Sequence, residues 1–218
     1  MNRGRLIVFE GIDGVGKTTQ IKRAHNYLVT RDVLASIFRE PGATPLGESL
    51  RGLILSKDAI RGGVGDLAEF LMFAAARAEI CRLLIKPLLA QGATVLLDRF
   101  GLSSVAYQGY GRGVDVEFIK RVNAEVTDGL RPDLTLLFDL DPQLALDRIE
   151  RGPDRIEKSG LEFFQRVRRG YLEQAAEAPE TCKIVDASQS VEDAFREVVA
   201  SIDLLFKKNH GGETAAVK

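Results

Sequence analysis

The residues Gly11-Ile12-Asp13-Gly14-Val15-Gly16-Lys17-Thr18 match the pattern G-x-x-x-x-G-K-[ST], which builds a cradle for phosphate. Glycines let successive backbone N–H groups curl round phosphate oxygens without side-chain clashes. The run follows an apolar segment and precedes a helical pattern, so the positive end of a helix adds to the cradle. In such a loop Lys17 reaches the β- and γ-phosphates of a nucleoside triphosphate, and the Thr18 hydroxyl helps to hold Mg²⁺. Gly11, Ile12, Asp13, Gly14, Val15, Gly16 and Thr19 are expected to complete the surround. A carboxylate for the same cation is expected at a strand end. Asp98 is the favoured candidate because Arg99 adjoins it, and Asp139 is its rival.

A phosphate cradle serves several chemistries, and the arginines narrow them. Arg39 follows the second apolar run, Arg51 lies on the next helical stretch, Arg99 ends the third run, and Arg112 sits in a glycine-rich stretch. Arg148, Arg151, Arg155 and Lys158 crowd a polar segment with Gly152-Pro153. An enzyme that holds an anionic acceptor beside an anionic nucleotide needs fixed cations to offset the repulsion. The polar segment, about residues 148–160, reads as a basic lid over the transferring phosphate; because Glu150, Asp154 and Glu157 are interleaved, a plain ion-paired loop is the alternative. None of the four asparagines is followed by Lys-x-Asp, so the guanine-reading motif of a GTP switch is absent. His25, inside a helical stretch, and His210, in the tail, are not placed as bases.

Composition is that of an ordinary globular domain and by itself says no more about function. Thirty cationic and 31 acidic residues leave a net charge of −1 in 218 residues, which argues against bulk electrostatic binding to nucleic acid or anionic membrane. Two cysteines cannot form a disulfide scaffold or a four-thiolate zinc site. No signal-peptide pattern or apolar stretch of membrane-spanning length is found, so the expectation is a cytoplasmic protein.

The elements that must position these residues alternate. Strands are expected at Arg5–Glu10, Val33–Arg39, Ala93–Leu97, Leu134–Asp139 and Lys183–Asp186. Helical periodicity covers Lys17–Thr30, Leu46–Ser56, a long stretch Asp66–Gln91 bent or divided at Pro87, Val114–Val126, Leu161–Ala178 and Val191–Phe206. Asp141-Pro142 reads as an N-cap with proline at N1, opening a helix to about Arg151. Gly109–Gly113 reads as a loop. The order predicts an α/β doubly wound fold with a five-stranded parallel sheet flanked by helices. One domain over residues 1–207 and a flexible tail over 208–218 are expected. Ligands in such folds lie beyond the carboxyl ends of the strands.

Taken in order, the motifs resemble those of the thymidylate kinases. They are Phe9-Glu10-Gly11-Ile12-Asp13-Gly14-Val15-Gly16-Lys17-Thr18-Thr19, Arg39-Glu40-Pro41-Gly42, Leu71-Met72-Phe73-Ala74-Ala75-Ala76-Arg77, Asp98-Arg99, Ala106-Tyr107-Gln108-Gly109 and the basic lid. The resemblance spans about residues 5–206 and implies a P-loop nucleoside monophosphate kinase fold. It also implies transfer of the γ-phosphoryl group of ATP to dTMP with Mg²⁺, a homodimer and a place in dTTP supply. It implies that Phe73 stacks on thymine, that Arg77 bonds the base from one helical turn later, and that Ser103 and Gln108 lie near the base. Tyr107 would pack under the sugar, Asp13 would face the acceptor sugar and phosphate, and Arg99, Arg39 and Arg51 would bind the acceptor phosphate. Some family members carry a catalytic arginine inside the phosphate loop. Here that place is Gly14, so the cation is expected from the lid, as in bacterial-type members: from Arg151 or Arg155, with Arg148, also expected on the nucleotide, as a further candidate. Two alternatives stay open at this point: another nucleoside monophosphate as acceptor, and an ATP-binding regulatory module without transfer.

Overall fold

The protein is described by a computed structural model covering residues 3–56, 63–149, 155–156 and 159–207. Five strands form one sheet: β1 (Leu6–Glu10), β2 (Ala35–Arg39), β3 (Thr94–Asp98), β4 (Leu134–Asp139) and β5 (Cys182–Asp186). Their order is β2-β3-β1-β4-β5 and every neighbouring pair is parallel. The central strand is wholly buried, as its unbroken apolar run requires. Alternate residues serve two cores. Leu6 and Val8 pack with Ile80, Ile85 and Leu89 on one face, while Ile7 and Phe9 join Ile21, Leu28 and Val198 on the other.

The connections are α1 (Lys17–Val29), α2 (Pro45–Leu55), α3 (Asp66–Ile80), α4 (Lys86–Ala90), α5 (Gly101–Ser104), α6 (Val116–Thr127), α7 (Pro142–Asp147), α8 (Leu161–Glu177) and α9 (Val191–Lys207). Capping follows the sequence. Thr44 accepts from Gly47 N ahead of Pro45, and Asp141 accepts from Gln143 N ahead of Pro142.

Three elements depart from expectation. The long helix is divided, but not at Pro87 itself. A π-helical turn, Cys81–Ile85, separates α3 from α4. Pro87 has no N–H to give the carbonyl four residues back, and the preceding turn widens. Helix α7 ends at Asp147, because Arg148 N and Ile149 N close back on Ala145 and Leu146 in tight turns. Residues Gly101–Gly111 are helical throughout, with a π-helical segment at Val105–Gly111, so the expected loop begins only after Gly111. The glycines there serve close packing. A Cβ on Gly111 would stand 2.5 Å from the Phe163 ring, and on the facing helix one on Gly170 would stand 2.6 Å from Tyr110.

The register aligns the strand ends. Arg39 and Phe9 both pair with Asp98, and Glu40 N donates to Asp98 O. Glu10, Arg39, Glu40, Asp98 and Arg99 therefore meet along the carboxyl edge of β1, β2 and β3, where the order of strands reverses.

Candidate active site

The loop after β1 turns through Gly11, Gly14 and Gly16, at φ of 132°, 82° and 88°, conformations that favour glycine. Gly16 is the N-cap of α1 and makes no side-chain cap; Thr19 N turns back to Gly16 O at 3.1 Å, which leaves the N–H groups of Lys17 and Thr18 for an anion. Lys17 is buried, and its Nζ donates to Gly11 O at 3.0 Å and Ile12 O at 2.7 Å. Desolvation, aided by the nearby Arg99 charge, lowers its pKa to about 8. Gly14 faces α7, and a Cβ there would lie 1.9 Å from Ala145 O. Packing thus denies this loop any side chain at the position where an internal arginine would sit.

The cleft above the loop is lined by Lys17, Thr18, Asp98 and Arg148 and by Arg39, Arg51 and Arg99. Arg148 donates to Ala187 O at 3.1 Å, which anchors it at the rim. Arg39 grips Glu48 through two hydrogen bonds of 3.1 Å. Arg51 donates to Pro41 O at 3.1 Å, and burial together with Arg39 lowers its pKa. Asp98 Oδ1 is buried without a hydrogen-bond partner among the described residues. Its rival Asp139 is taken by Arg168, at 2.7 and 2.8 Å. The described residues hold no group of three or more His, Cys, Asp or Glu placed for a metal. Mg²⁺ needs only one or two protein oxygens beside substrate phosphates. Thr18 and Asp98 both line the cleft, and a hydroxyl with a carboxylate that has an unpartnered oxygen fits that requirement.

Arg99 is the hub between this cleft and a second cavity. It bonds Gly11 O at 2.9 Å, Tyr171 Oη at 3.2 Å, Ser103 Oγ at 3.3 Å and Asp13 Oδ1 at 2.8 Å. Burial alone would raise the pKa of Asp13. The charges of Arg99 and Lys17 outweigh it and hold the carboxyl at about 2. Tyr107 Oη donates to Asp13 Oδ2 at 3.2 Å, and burial pushes its own pKa well up.

The second cavity is lined by Phe73, Pro41, Leu55 and Ile156 and by the polar groups of Ser104 and Gln108. A flat apolar wall with a few polar groups suits a planar base. Ser103 also faces it, but its hydroxyl donates to Glu10 Oε2 at 2.6 Å. Arg77 lies behind the wall rather than on it. It is 1% exposed and makes four hydrogen bonds, to Glu40 Oε2, Ser104 Oγ, Asn123 Oδ1 and Phe100 O. Arg155 is at this end too, not over the phosphate loop: it donates to Ile54 O at 2.8 Å and pairs closely with Glu69. Arg151, Lys158 and the tail 208–218 lie outside the described residues.

Four site residues were not nominated from sequence. Glu10 accepts from Phe100 N at 2.8 Å and from Tyr171 Oη at 3.1 Å, and so fixes the start of α5 beside Arg99. Burial raises the pKa of Glu10, and it lifts that of Glu40 to about 7 against the pull of Arg77. Glu69 is buried on α3. For Glu69 a signal existed, since it stands four residues before Phe73 on the same helical face. For Glu10, an acid closing an apolar strand is the signal. Tyr171 carries none, because its role depends on α8 crossing Arg99.

The comparisons agree with this geometry. Residues 9–198 match the family model for thymidylate kinase. The chain is 46% identical to a thymidylate kinase of Gloeobacter violaceus over 208 residues, covering 94% of this chain and 97% of that one. It is 41% identical to one of Deinococcus radiodurans over 204 residues, covering 93% and 98%. The crystal structure of a thymidylate kinase from Ehrlichia chaffeensis superposes with a TM-score of 0.75 at 34% identity, over 92% of this chain and 99% of that one. The chain belongs to the thymidylate kinase family, ATP-dependent enzymes that phosphorylate dTMP to dTDP.

Proposed function

We propose that this chain transfers the γ-phosphoryl group of ATP to dTMP by positioning and electrostatic stabilisation. The observation that carries the reading is the Arg99 hub, which joins the phosphate loop to a base-sized cavity. ATP phosphates lie on the amides of Gly14 to Thr18, and Lys17 turns from Gly11 O and Ile12 O to the β- and γ-oxygens. Arg99, with Arg51 and Arg39, holds the acceptor phosphate in line. That phosphate has its second pKa near about 6, so its attacking oxygen is largely deprotonated at neutral pH and no general base is required. Thr18 and Asp98 are the residues that would hold Mg²⁺, whose charge would offset that of the β- and γ-phosphates.

Thymine stacks on Phe73 beside Gln108, while Arg77 acts from behind by fixing Glu40 and Ser104 in the wall. Asp13 and Tyr107 face the sugar. Among the lid cations Arg148 stands in the phosphate cleft, which supports a role on the nucleotide. Arg151 remains the candidate for charge neutralisation during transfer, with Arg155 serving the acceptor end.

The chain acts as a single domain over residues 1–207, with the lid at about 148–160 and a flexible tail at 208–218. It works as a homodimer in the cytoplasm. Leu46 and Leu53 on α2 and Leu67 and Leu71 on α3 are exposed on helices that pack together, which supports self-association. Two free cysteines and the use of ATP fit a reducing, nucleotide-rich compartment. Among the described residues, no helix is long and apolar enough to cross a membrane.

The test is an acceptor panel with ATP, read by chromatographic separation of the diphosphates. Preferential formation of dTDP is expected. Equal use of all monophosphates, or no product despite ATP binding, would remove the reading.

A further inference from the structure

Glu69 stands on α3 outside the contacts assigned above, is 1% exposed, and is shared by three side chains. Its Oε1 accepts from Gln108 Nε2 at 2.8 Å, and its Oε2 pairs with Arg155. Arg112 Nε lies 3.8 Å from Oε1. A carboxylate flanked by two guanidinium groups accepts hydrogen bonds and does not donate them. It therefore fixes which way the Gln108 amide points, because only the NH₂ end can face it. Gln108 is itself buried and lines the base cavity. No described residue donates a hydrogen bond to its Oε1.

We infer that Glu69 is a positioning residue for base choice: by holding the Gln108 amide through its NH₂ group, it presents a carbonyl acceptor to the bound base. The inference rests on the reading of Gln108 as a base contact. Thymine carries an N–H donor at N3, where cytosine carries an acceptor lone pair. A fixed carbonyl pairs with the first and repels the second. A freely rotating amide would serve both bases by flipping. Discrimination between the two thus depends on an acid that never touches the substrate.

The test compares kcat/KM for dTMP and dCMP in the native enzyme, Glu69→Gln, Gln108→Leu and the double variant. A glutamine at 69 both donates and accepts, so Gln108 is released to flip. The dTMP:dCMP ratio is expected to fall about 10- to 100-fold in Glu69→Gln. It should fall no further when the substitution is added to Gln108→Leu, since one acts through the other. A ratio within twofold of native in Glu69→Gln, or full additivity in the double variant, overturns the inference. A second measurement uses the native protein alone, so it stands even if Glu69→Gln does not fold. One side-chain amide proton of Gln108 should exchange slowly by NMR without nucleotide, and fast exchange of both overturns the proposal. A Gln108→Leu enzyme that keeps the native ratio overturns the base-contact reading beneath it. The slow amide would distinguish that failure from a failure of Glu69.

Discussion

Arg99 Nη2 lies 2.8 Å from Asp13 Oδ1, so the end of β3 is tied directly to the phosphate loop that follows β1. Arg99 adopts a φ of 70° to make the contact, a conformation that costs a non-glycine residue about 1 kcal/mol or more. The bonds to Gly11, Ser103 and Tyr171 fix that geometry from three further segments. Arg99 and the loop after β1 are thereby joined in one hydrogen-bond network.

The Asp13–Arg99 pair gives a pH signature. Asp13 has a folded pKa of about 2 against an ordinary value of 3.8. A depressed carboxyl contributes stability that is fully present above the ordinary value and is lost as pH falls through about 2. Because the Asp13 side chain is 33% exposed, the contribution is discounted to about 1 kcal/mol. Acid titration of thermal stability should show a shallower loss over this window in Asp13→Asn. Identical acid limbs would remove the pair as a source of stability.

Lys17→Ala should lower kcat by about 10²-fold or more, since one preorganised charge at transferring phosphate has that scale. Circular dichroism should show the native fold retained. Near-native turnover would reject the phosphate-cradle role.

The lid arginines should separate in steady-state kinetics. Arg155→Ala, which frees Glu69 and Ile54 O, is expected to raise KM for dTMP several-fold with a smaller change in kcat. Arg148→Ala should raise KM for ATP, and Arg151→Ala should lower kcat. A kcat loss confined to Arg155→Ala would return the transfer role to that residue.

Arg77→Ala leaves the buried Glu40 carboxylate without its cation, and Glu40 Oε1 already lacks a partner among the described residues. Loss of a buried partner of this kind costs about 3–5 kcal/mol. Arg39→Ala, which breaks a pair half-exposed on both sides, should cost under about 1 kcal/mol. Denaturant titration of the two variants checks the contrast. Equal effects would show that Arg77 is not structural and would favour direct contact with the base.

Much of this was legible in the residues. Apolar runs bounded by glycine or acid marked all five strands, and the glycine spacing marked the phosphate loop before any fold was known. The Gly101–Gly111 helix was not legible, because Gly109 and Gly111 read as turn formers when they are in fact close contacts, Gly109 with Val116 of α6 and Gly111 with Phe163 of α8. The partners of Arg77 and Arg155 were hidden for a related reason. An arginine names its charge in the sequence, but not whether substrate or Glu40 and Glu69 will neutralise it. Those acids lie 37 and 86 positions away in the chain, brought close only by the crossovers.

The contact between Gly14 and the Ala145 carbonyl sets a limit on how this enzyme can be re-engineered. Grafting an arginine into the loop at that place would drive the new side chain into the backbone of α7 before it met any nucleotide. Transplanting that design requires a retreat of α7 first. Room for an internal cation is therefore set by α7, a distant part of the chain brought against the loop by the fold, and a survey of α7 placement should forecast which relatives can carry one.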